Sequence, residues 1–265
     1  MAGKSLAGKW ALILGASSGF GGATSLRLAQ EGMHIIGVHL DRKSTMANVE
    51  QLTQQIQRSG AQALFFNANA ADPVKRQEIL DQIQPKLGGA TITVFMHSLA
   101  FGSLKPYVAN DPKEQLTKDQ MEMTIDVMAN SLVYWTQDLL GRKLLGQGSR
   151  IFAMTSSGGA RVWPNYGAVS AAKAALESHI RQLALELAPW GVTANSIRAG
   201  VTDTPALRKI PGNDQMMELA RLRNPHHRLT TTEDVAGAIA LMANSGADWI
   251  TGNVIGTDGG EDIVG

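Results

Sequence analysis

Short apolar runs alternate with longer amphipathic stretches along the whole chain. Seven runs have the length and character of buried strands, and they are Trp10–Leu14, His34–Leu40, Ala63–Phe66, Thr91–His97, Arg150–Thr155, Val192–Ile197 and Asn253–Thr257. Helical spacing of apolar residues occupies residues 19–31, 45–59, 73–86, much of 113–145, and 164–188. Strands with little polar alternation, separated by helices, indicate a parallel sheet covered on both faces. We therefore expect an α/β protein with a doubly wound, seven-stranded parallel sheet and helices on both faces.

No linker interrupts this alternation, so residues 1–265 are expected to form a single domain. In a doubly wound sheet, ligands bind at the carboxyl ends of the strands, and functional residues are expected there. Residues 201–231 depart from the pattern, with Pro205, Pro211 and Gly212 among apolar residues such as Met216. This segment is interpreted either as a mobile cover over a substrate or as an ordinary connecting loop.

Composition excludes several classes of partner. A net charge of +1 leaves no acidic or basic excess to attract nucleic acid or a membrane surface. No run approaches the roughly 18 apolar residues that span a bilayer. Cysteine is absent, which excludes disulfides and thiolate chemistry and fits a cytoplasmic location. The pair His226-His227 has no further ligand at metal-binding spacing, so no metal site is expected.

A glycine-rich turn follows the first predicted strand. It runs from Gly15 to Gly22 with the sequence GASSGFGG and opens the first predicted helix. Glycines allow a tight turn that brings backbone N–H groups close to a pyrophosphate, and the helix N-terminus adds partial positive charge. A plain tight turn is the alternative, but the position between first strand and first helix favours a nucleotide site.

Tyr166 and Lys173 lie seven residues apart in the predicted helix over 164–188. Seven steps of about 100° make nearly two full turns, so both side chains project from one helix face. An ammonium near a phenol is expected to lower the phenol's pKa, and such a phenol can donate to or protonate a developing oxyanion. The alternative is a buried tyrosine beside a lysine that extends to solvent.

Taken together, these motifs resemble the short-chain dehydrogenase/reductase family over essentially the whole chain. The matching elements are Gly15-x3-Gly19-x-Gly21, Tyr166-x6-Lys173, and the ITGN and TDGG sequences near the C-terminus. The resemblance implies a Rossmann-type fold and a nicotinamide cofactor. It also implies that Tyr166 is the catalytic tyrosine, and that Lys173 binds the nicotinamide ribose and tunes Tyr166.

Three local sequences resemble the enoyl-acyl carrier protein reductases more than the ketoreductases of this family. Residues 97–102, HSLAFG, replace the ketoreductase Asn-Asn-Ala-Gly turn, and residues 196–204, SIRAGVTDT, are similar to the reductases' Ser-Ala-Gly-Pro sequence. In the long helix, Met128 falls where ketoreductases carry the asparagine of a proton relay, while Asn130 is off by more than half a turn. His97 is then a structural histidine at a strand end rather than a base.

One feature is closer to the ketoreductases. The enoyl reductases' second tyrosine, about ten residues before the catalytic one, is replaced by Ser156, which could hold a carbonyl as a third catalytic residue. The leading hypothesis is NADPH-dependent reduction of the trans-2 double bond of an enoyl-acyl carrier protein or CoA thioester in fatty-acid synthesis. The alternatives are a carbonyl-directed ketoreductase or hydroxysteroid-type dehydrogenase and, remotely, a non-catalytic nucleotide-sensing regulator.

The end of the second strand bears on the choice of nicotinamide cofactor. His39 stands where NAD enzymes carry an acidic residue for the ribose 2′-OH. Arg42 and Lys43 could bind a 2′-phosphate, which favours NADPH and leaves NADH possible. Asp41 weakens this preference, because it could pair with Arg42 or accept from the ribose.

The resemblance also implies the remaining contacts. The expected cofactor site comprises Gly15, Ser17, Ser18, Gly19, Phe20, Gly21, His39, Arg42, Asn69, Ala70, Ser98, Leu99, Ala100, Thr155, Tyr166, Lys173, Ala199, Gly200, Val201, Thr202 and Thr204. Arg161 and Trp163 are placed either at the substrate mouth or in a surface loop. The acidic carrier protein could touch Arg208, Lys209, Arg221 and Arg223, unless these form a solvated helix face. A homodimer or homotetramer is expected from the resemblance alone.

Overall fold

The computed structural model of the protein describes residues 6–264, so residues 1–5 and 265 of the expected domain lie outside the described part. Its strands are β1 (Trp10–Leu14), β2 (His34–His39), β3 (Ala63–Asn67), β4 (Ile92–His97), β5 (Arg150–Ser156), β6 (Thr193–Ala199) and β7 (Val254–Thr257). Its α-helices are α1 (Gly19–Gln30), α2 (Met46–Arg58), α3 (Pro73–Leu87), α4 (Lys118–Ile125), α5 (Ser131–Gly141), α6 (Gly167–Glu186), α7 (Asn213–Arg223) and α8 (Thr232–Met242).

The seven strands form one parallel sheet in the order β3-β2-β1-β4-β5-β6-β7. The strand order reverses direction between β1 and β4, so a crevice opens above their carboxyl ends. This confirms the expected doubly wound, Rossmann-type α/β fold, and every expected strand is present within two residues of its expected bounds.

Both faces of the sheet are covered, as the apolar strands require. On one face, Leu12 and Leu14 pack in a cluster that includes the fully buried Trp135 of α5. On the other, Ala11 and Ile13 pack in a cluster that includes residues of α1, α2 and α8. Because successive side chains of a strand point to opposite faces, one apolar strand supplies both cores. This explains why β1 shows no polar alternation.

The long helix expected over much of residues 113–145 is present over residues 118–141, with a π-helical turn inside it. The structure has α4 and α5 joined by a π-helical segment, Asp126–Asn130. Helix α4 begins only at Lys118, where the Thr117 side chain and Gln120 form a capping box. The π segment packs against α6, and such long-range packing leaves no local pattern in the sequence.

Helix α3 begins where the sequence predicts. The Asp72 carboxylate accepts from the backbone N–H groups of Val74 and Lys75, and Pro73 occupies the first helical position. Within residues 6–264, none of the helices has the length and apolar character needed to cross a membrane.

Candidate active site

A cavity of about 360 Å³ lies above the carboxyl ends of the central strands. The structure brings the three expected catalytic residues, Tyr166, Lys173 and Ser156, into its wall. The expected cofactor residues that also line it are Phe20, Ser98, Leu99, Ala100, Thr155, Ala199, Gly200, Val201, Thr202 and Thr204. Those that do not line it are Gly15, Ser17, Ser18, Gly19, Gly21, His39, Arg42, Asn69 and Ala70. This second group follows β1, β2 and β3 along the same edge of the sheet.

The glycine turn after β1 has the geometry of an anion cradle. Gly15 has φ +83°, and a Cβ there would lie 2.4 Å from the Ser98 backbone oxygen, so only glycine fits this contact with β4. Helix α1 begins at Gly19, and its N-cap residue Ser18 gives no side-chain hydrogen bond to the first turn. The first N–H groups of α1 are therefore open to a ligand, which fits the pyrophosphate of a dinucleotide.

The Tyr166 phenol is protonated at neutral pH in this structure. Burial raises its pKa, and the nearby Ser156 hydroxyl opposes that rise. The expectation that Lys173 lowers the phenol's pKa is wrong here, because the Lys173 ammonium donates to the Met154 carbonyl oxygen at 2.7 Å instead. A neutral phenol in a cavity wall is a hydrogen-bond donor rather than a base.

Lys173 is 6% exposed, and burial lowers the pKa of its ammonium to about 8. His97, at the end of β4, is fully buried and does not line the cavity. Burial, followed by the charge of Lys173, lowers the pKa of His97 to about 3, and its Nε2 lies 2.8 Å from the Ser131 hydroxyl. A neutral histidine in this place has the structural role that the sequence suggested.

The Ser156 hydroxyl is buried but incompletely satisfied. It lies close enough to Tyr166 to influence the phenol's pKa, yet among the described residues it meets no partner in full hydrogen-bond geometry. A buried hydroxyl of this kind in a cavity wall retains the capacity to bind a ligand oxygen.

Met128 and Asn130 both lie in the π segment, and their side chains point to different sides of it. Met128 lines the cavity, whereas the Asn130 side chain points away and its Oδ1 lies 3.1 Å from His179 Nε2. The thioether of Met128 cannot pass a proton. Met128, which the sequence comparison places at the relay position, is thus an apolar side chain in the cavity wall.

At the end of β2, His39 Nδ1 lies 3.0 Å from an Asp41 carboxylate oxygen. Burial acts to raise the pKa of Asp41, but hydrogen bonds with Ser17, Thr45 and His39 outweigh it and hold this pKa below its usual value. Asp41 thus pairs with His39 and not with Arg42. The exposed Arg42 makes no ion pair within residues 6–264.

The segment 201–231 forms one wall of the cavity through residues of a short 3-10 turn and of α7, including Leu207, Ile210, Met216 and Leu219. Trp163 and Arg161, for which the sequence allows either the substrate mouth or a surface loop, both line the cavity. The Trp163 indole N–H donates to the Pro211 oxygen at 3.1 Å and so ties the segment to the loop before Tyr166.

Two carboxylates of the site are not among the residues that the sequence motifs indicate. Glu261 lines the cavity and accepts from the Val201 N–H at 3.1 Å. Glu177 accepts from the Thr155 hydroxyl at 2.7 Å. Glu261 lies beyond the TDGG motif and gives no signal of its own, while the position of Glu177 one helical turn after Lys173 could have singled it out.

The cations expected to touch a carrier protein fall into two groups. Arg208 pairs with Asp203, and Arg221 lies 3.7 Å from Glu218. Lys209 and Arg223 line the cavity and form no ion pair in the described part of the chain. Among the described residues, no three His, Cys, Asp or Glu side chains gather closely enough to hold a metal ion.

Comparison with known proteins agrees with this geometry. Residues 15–261 match the family model described as Enoyl-(Acyl carrier protein) reductase. The chain is 27% identical to the 1-cyclohexenylcarbonyl-CoA reductase of Streptomyces collinus, over 96% of this chain and 86% of that protein. It is 28% identical to the enoyl-(acyl-carrier-protein) reductase (NADH) FabI of Nostoc sp., over 98% of both chains. A short-chain dehydrogenase from Burkholderia cenocepacia, solved in complex with NADP, superposes with a TM-score of 0.82 at 26% identity, covering 97% of this chain and 99% of the other.

A parallel sheet with an uncapped glycine turn and a tyrosine–lysine pair above it defines an oxidoreductase of the short-chain dehydrogenase/reductase class. Within that class, the match over residues 15–261 is decisive. The chain belongs to the enoyl-(acyl carrier protein) reductase family of short-chain dehydrogenases/reductases.

Proposed function

We propose that the protein uses NADPH to reduce the trans-2 double bond of enoyl thioesters carried by acyl carrier protein or CoA, as a step of fatty-acid synthesis in the cytoplasm. The observation that carries this proposal is the pairing of a protonated Tyr166 with an apolar Met128 at the relay position. Carbonyl reduction must deliver a proton to oxygen and uses a relay to replace it. Enoyl reduction needs a hydrogen-bond donor at the thioester oxygen, which Tyr166 provides.

Each residue of the site has a separate part in this reaction. Bound NADPH supplies the hydride that reaches the β-carbon. The Tyr166 hydroxyl would donate a hydrogen bond to the enolate oxygen, and the thioester would re-form when the α-carbon takes a proton from solvent. Lys173, held by the Met154 carbonyl, supports Tyr166 and the ribose. Apolar side chains such as Met128 and Val169 exclude water and strengthen the hydrogen bond to the enolate.

Arg42 supports the choice of NADPH. Because Asp41 is occupied by His39, the Arg42 guanidinium remains available for a 2′-phosphate. The relative bound to NADP is consistent with this preference. The Nostoc relative named for NADH keeps NADH as a possible second cofactor.

Lys209 and Arg223 support a phosphate-bearing thioester. Both are exposed cations in the cavity wall without an ion-pair partner in the described residues. The phosphopantetheine arm of an acyl carrier protein, or CoA itself, places phosphate outside a cavity that holds an acyl chain.

We propose that the working enzyme is a homodimer or homotetramer, which light scattering would measure.

The Ser156 hydroxyl favours a second candidate, reduction of a carbonyl, because it is free to bind a ketone oxygen. The two candidates separate in a single assay. NADPH and NADH oxidation are followed side by side with crotonyl-CoA and acetoacetyl-CoA. Enoyl reductase activity predicts turnover of crotonyl-CoA; brisk reduction of acetoacetyl-CoA without crotonyl turnover would transfer the assignment to ketoreduction.

A non-catalytic nucleotide sensor remains the third and remotest candidate. It predicts tight NADPH binding and no turnover of either thioester, with Tyr166→Phe changing no measurable activity. The intact Tyr166–Lys173 pair in a ligand-sized cavity speaks for an enzyme.

A further inference from the structure

The Lys173 ammonium is buried beside groups that offer it little negative charge. Its nitrogen has one described acceptor, the Met154 carbonyl oxygen. The titratable groups nearby are His97 on β4, Tyr166 just before α6, Glu177 on α6, and Glu261 across the cavity. His97 and Tyr166 are neutral at neutral pH, and Glu261 is engaged with Val201 N–H. An ammonium with no counter-charge would lose its proton on burial.

Glu177 lies one helical turn beyond Lys173, on the same face of α6. Its Oε1 accepts from the hydroxyl of Thr155, the residue that follows the Met154 acceptor of Lys173 on β5. A Cβ at Gly159 would lie 3.4 Å from Glu177 Oε1 and 3.5 Å from Lys173 Cβ, so the carboxylate and the lysine stem flank one small space. A methyl group at position 159 would therefore touch both side chains.

We propose that Glu177 is the counter-charge of the Lys173 ammonium, fixed in place by the Thr155 hydroxyl, and thus a positioning residue of the active site. The carboxylate acts through Lys173 and touches neither cofactor nor substrate. The electrostatic part of this inference concerns the protein alone. Its catalytic consequence rests on the proposed function, in which a charged Lys173 supports Tyr166.

If Glu177 is the counter-charge, removing its charge should lower the pKa of Lys173. Burial lowers the pKa of Lys173 to about 8, and the charge of Glu177 opposes that lowering. Glu177→Gln keeps an oxygen that can accept from Thr155 and removes the charge. The titration midpoint of Lys173 should then fall by about one pH unit, the lower end of the effect of an opposite charge at close range.

The direct test follows the Lys173 side chain by NMR. Protein labelled with ¹³C,¹⁵N-lysine is titrated without cofactor or substrate, and the Lys173 signal is assigned by its loss in Lys173→Arg. We expect a midpoint near 8 in the parent protein, a lower midpoint in Glu177→Gln, and no change in Glu186→Gln. Glu186 is a matched control, since it lies on the same helix and is bonded to Gln182. An unchanged or raised midpoint in Glu177→Gln overturns the proposal.

Thr155→Val is the second variant, and it keeps the inference testable should Glu177→Gln fold poorly. It leaves the carboxylate and removes its hydroxyl tether, so the Lys173 midpoint should fall by less than in Glu177→Gln. A midpoint equal to that of the parent protein would show that the tether does not hold the counter-charge.

Activity supplies the functional readout. If charged Lys173 is required, a one-unit fall from 8 leaves about one eighth of the parent activity at pH 8.5 and about nine tenths at pH 6. If the Lys173 midpoint falls in Glu177→Gln but the pH profile of crotonyl-CoA reduction does not change, Glu177 is still the counter-charge of Lys173. The role of Lys173 in the proposed function is then refuted. The two failures are therefore distinguishable.

Discussion

Replacing Tyr166 by phenylalanine removes one hydroxyl and leaves the ring in its packing. The ring packs against the apolar cluster of Val127, Met128, Val169 and Ala172, and this packing does not need the oxygen. Among the described residues, Ser156 is the only side chain that affects the phenol's pKa by hydrogen bonding. A hydrogen bond of this kind contributes about 1 kcal/mol or less to the free energy of unfolding. We therefore expect Tm to fall by no more than about 4 °C.

Catalysis should lose far more than stability. The hydroxyl is the donor that the proposed mechanism aims at the enolate oxygen, and removal of one such donor costs about 10²–10³ in rate, or about 3–4 kcal/mol of transition-state stabilisation. The Kd for NADPH should rise by at most about tenfold, the effect of losing one hydrogen bond, because Tyr166 is one of many expected cofactor contacts. The contrast between a small change in unfolding and a large change in kcat is the signature of the proposed role.

The assay is stopped-flow oxidation of NADPH with saturating crotonyl-CoA, beside thermal unfolding of the same samples. Tyr134→Phe is the matched control, because Tyr134 lies on α5 outside the cavity. The Arg76 guanidinium carbon stacks over the Tyr134 ring, 5.7 Å from its centroid. A Tyr166→Phe enzyme that keeps more than half of the parent kcat would refute the reasoning. So would a Tyr134→Phe enzyme with an equal loss.

Three further predictions concern the fold and the cofactor site. At Gly15 (φ +83°), an added Cβ would lie 2.4 Å from a backbone oxygen, so Gly15→Ala should lower the free energy of unfolding in urea by about 3 kcal/mol. At Gly19 the nearest atom to an added Cβ is 3.8 Å away, so Gly19→Ala should lower it by only about 1 kcal/mol. Equal losses in the two variants would contradict this prediction. Arg42→Ala should raise the Kd for NADPH about tenfold and leave that for NADH within twofold by fluorescence titration, and parallel changes would remove Arg42 from phosphate binding. The hydrogen bond with Arg228 lowers the pKa of Asp234 to about 2, below its ordinary 3.8. The ionised Asp234 therefore stabilises the folded protein above about pH 4, and this stabilisation is lost as the pH falls to 2. Since this pair is largely exposed, the gain is under about 1 kcal/mol, and Asp234→Asn should reduce the Tm difference between pH 5 and pH 2.5.

The sheet could be predicted from the sequence because its signals are local. Apolar strands between helices specify a two-faced parallel sheet, and Gly15 and Asp72 mark ends of elements by their own backbone and capping needs. The Tyr166–Lys173 spacing likewise needs only helical geometry. For this reason the amino-acid pattern is sufficient to indicate the central residues of the cavity.

Features that depend on packing between distant segments could not be predicted. The π-helical turn at Asp126–Asn130 packs against α6, and the Glu261 carboxylate reaches Val201 from 60 residues away. The pKa of Tyr166 was expected to fall because two residues on one helix face suggest contact. In the structure, the lysine nitrogen turns to a carbonyl of β5 and burial of the phenol prevails. Helical spacing gives direction, but it does not give the partner of a side chain.

A π-helical segment winds one residue further per hydrogen-bonded ring than the α-helices that flank it. Met128, which faces the cavity, and Asn130, which faces His179, both lie in this segment. Because the wider turn takes up its extra residue locally, loss of one residue between Asp126 and Asn130 should rewind the segment as α-helix and leave α4 and α5 where they are. The directions of the Met128 and Asn130 side chains can therefore change within these five residues, while every strand and loop around the cavity stays as it is.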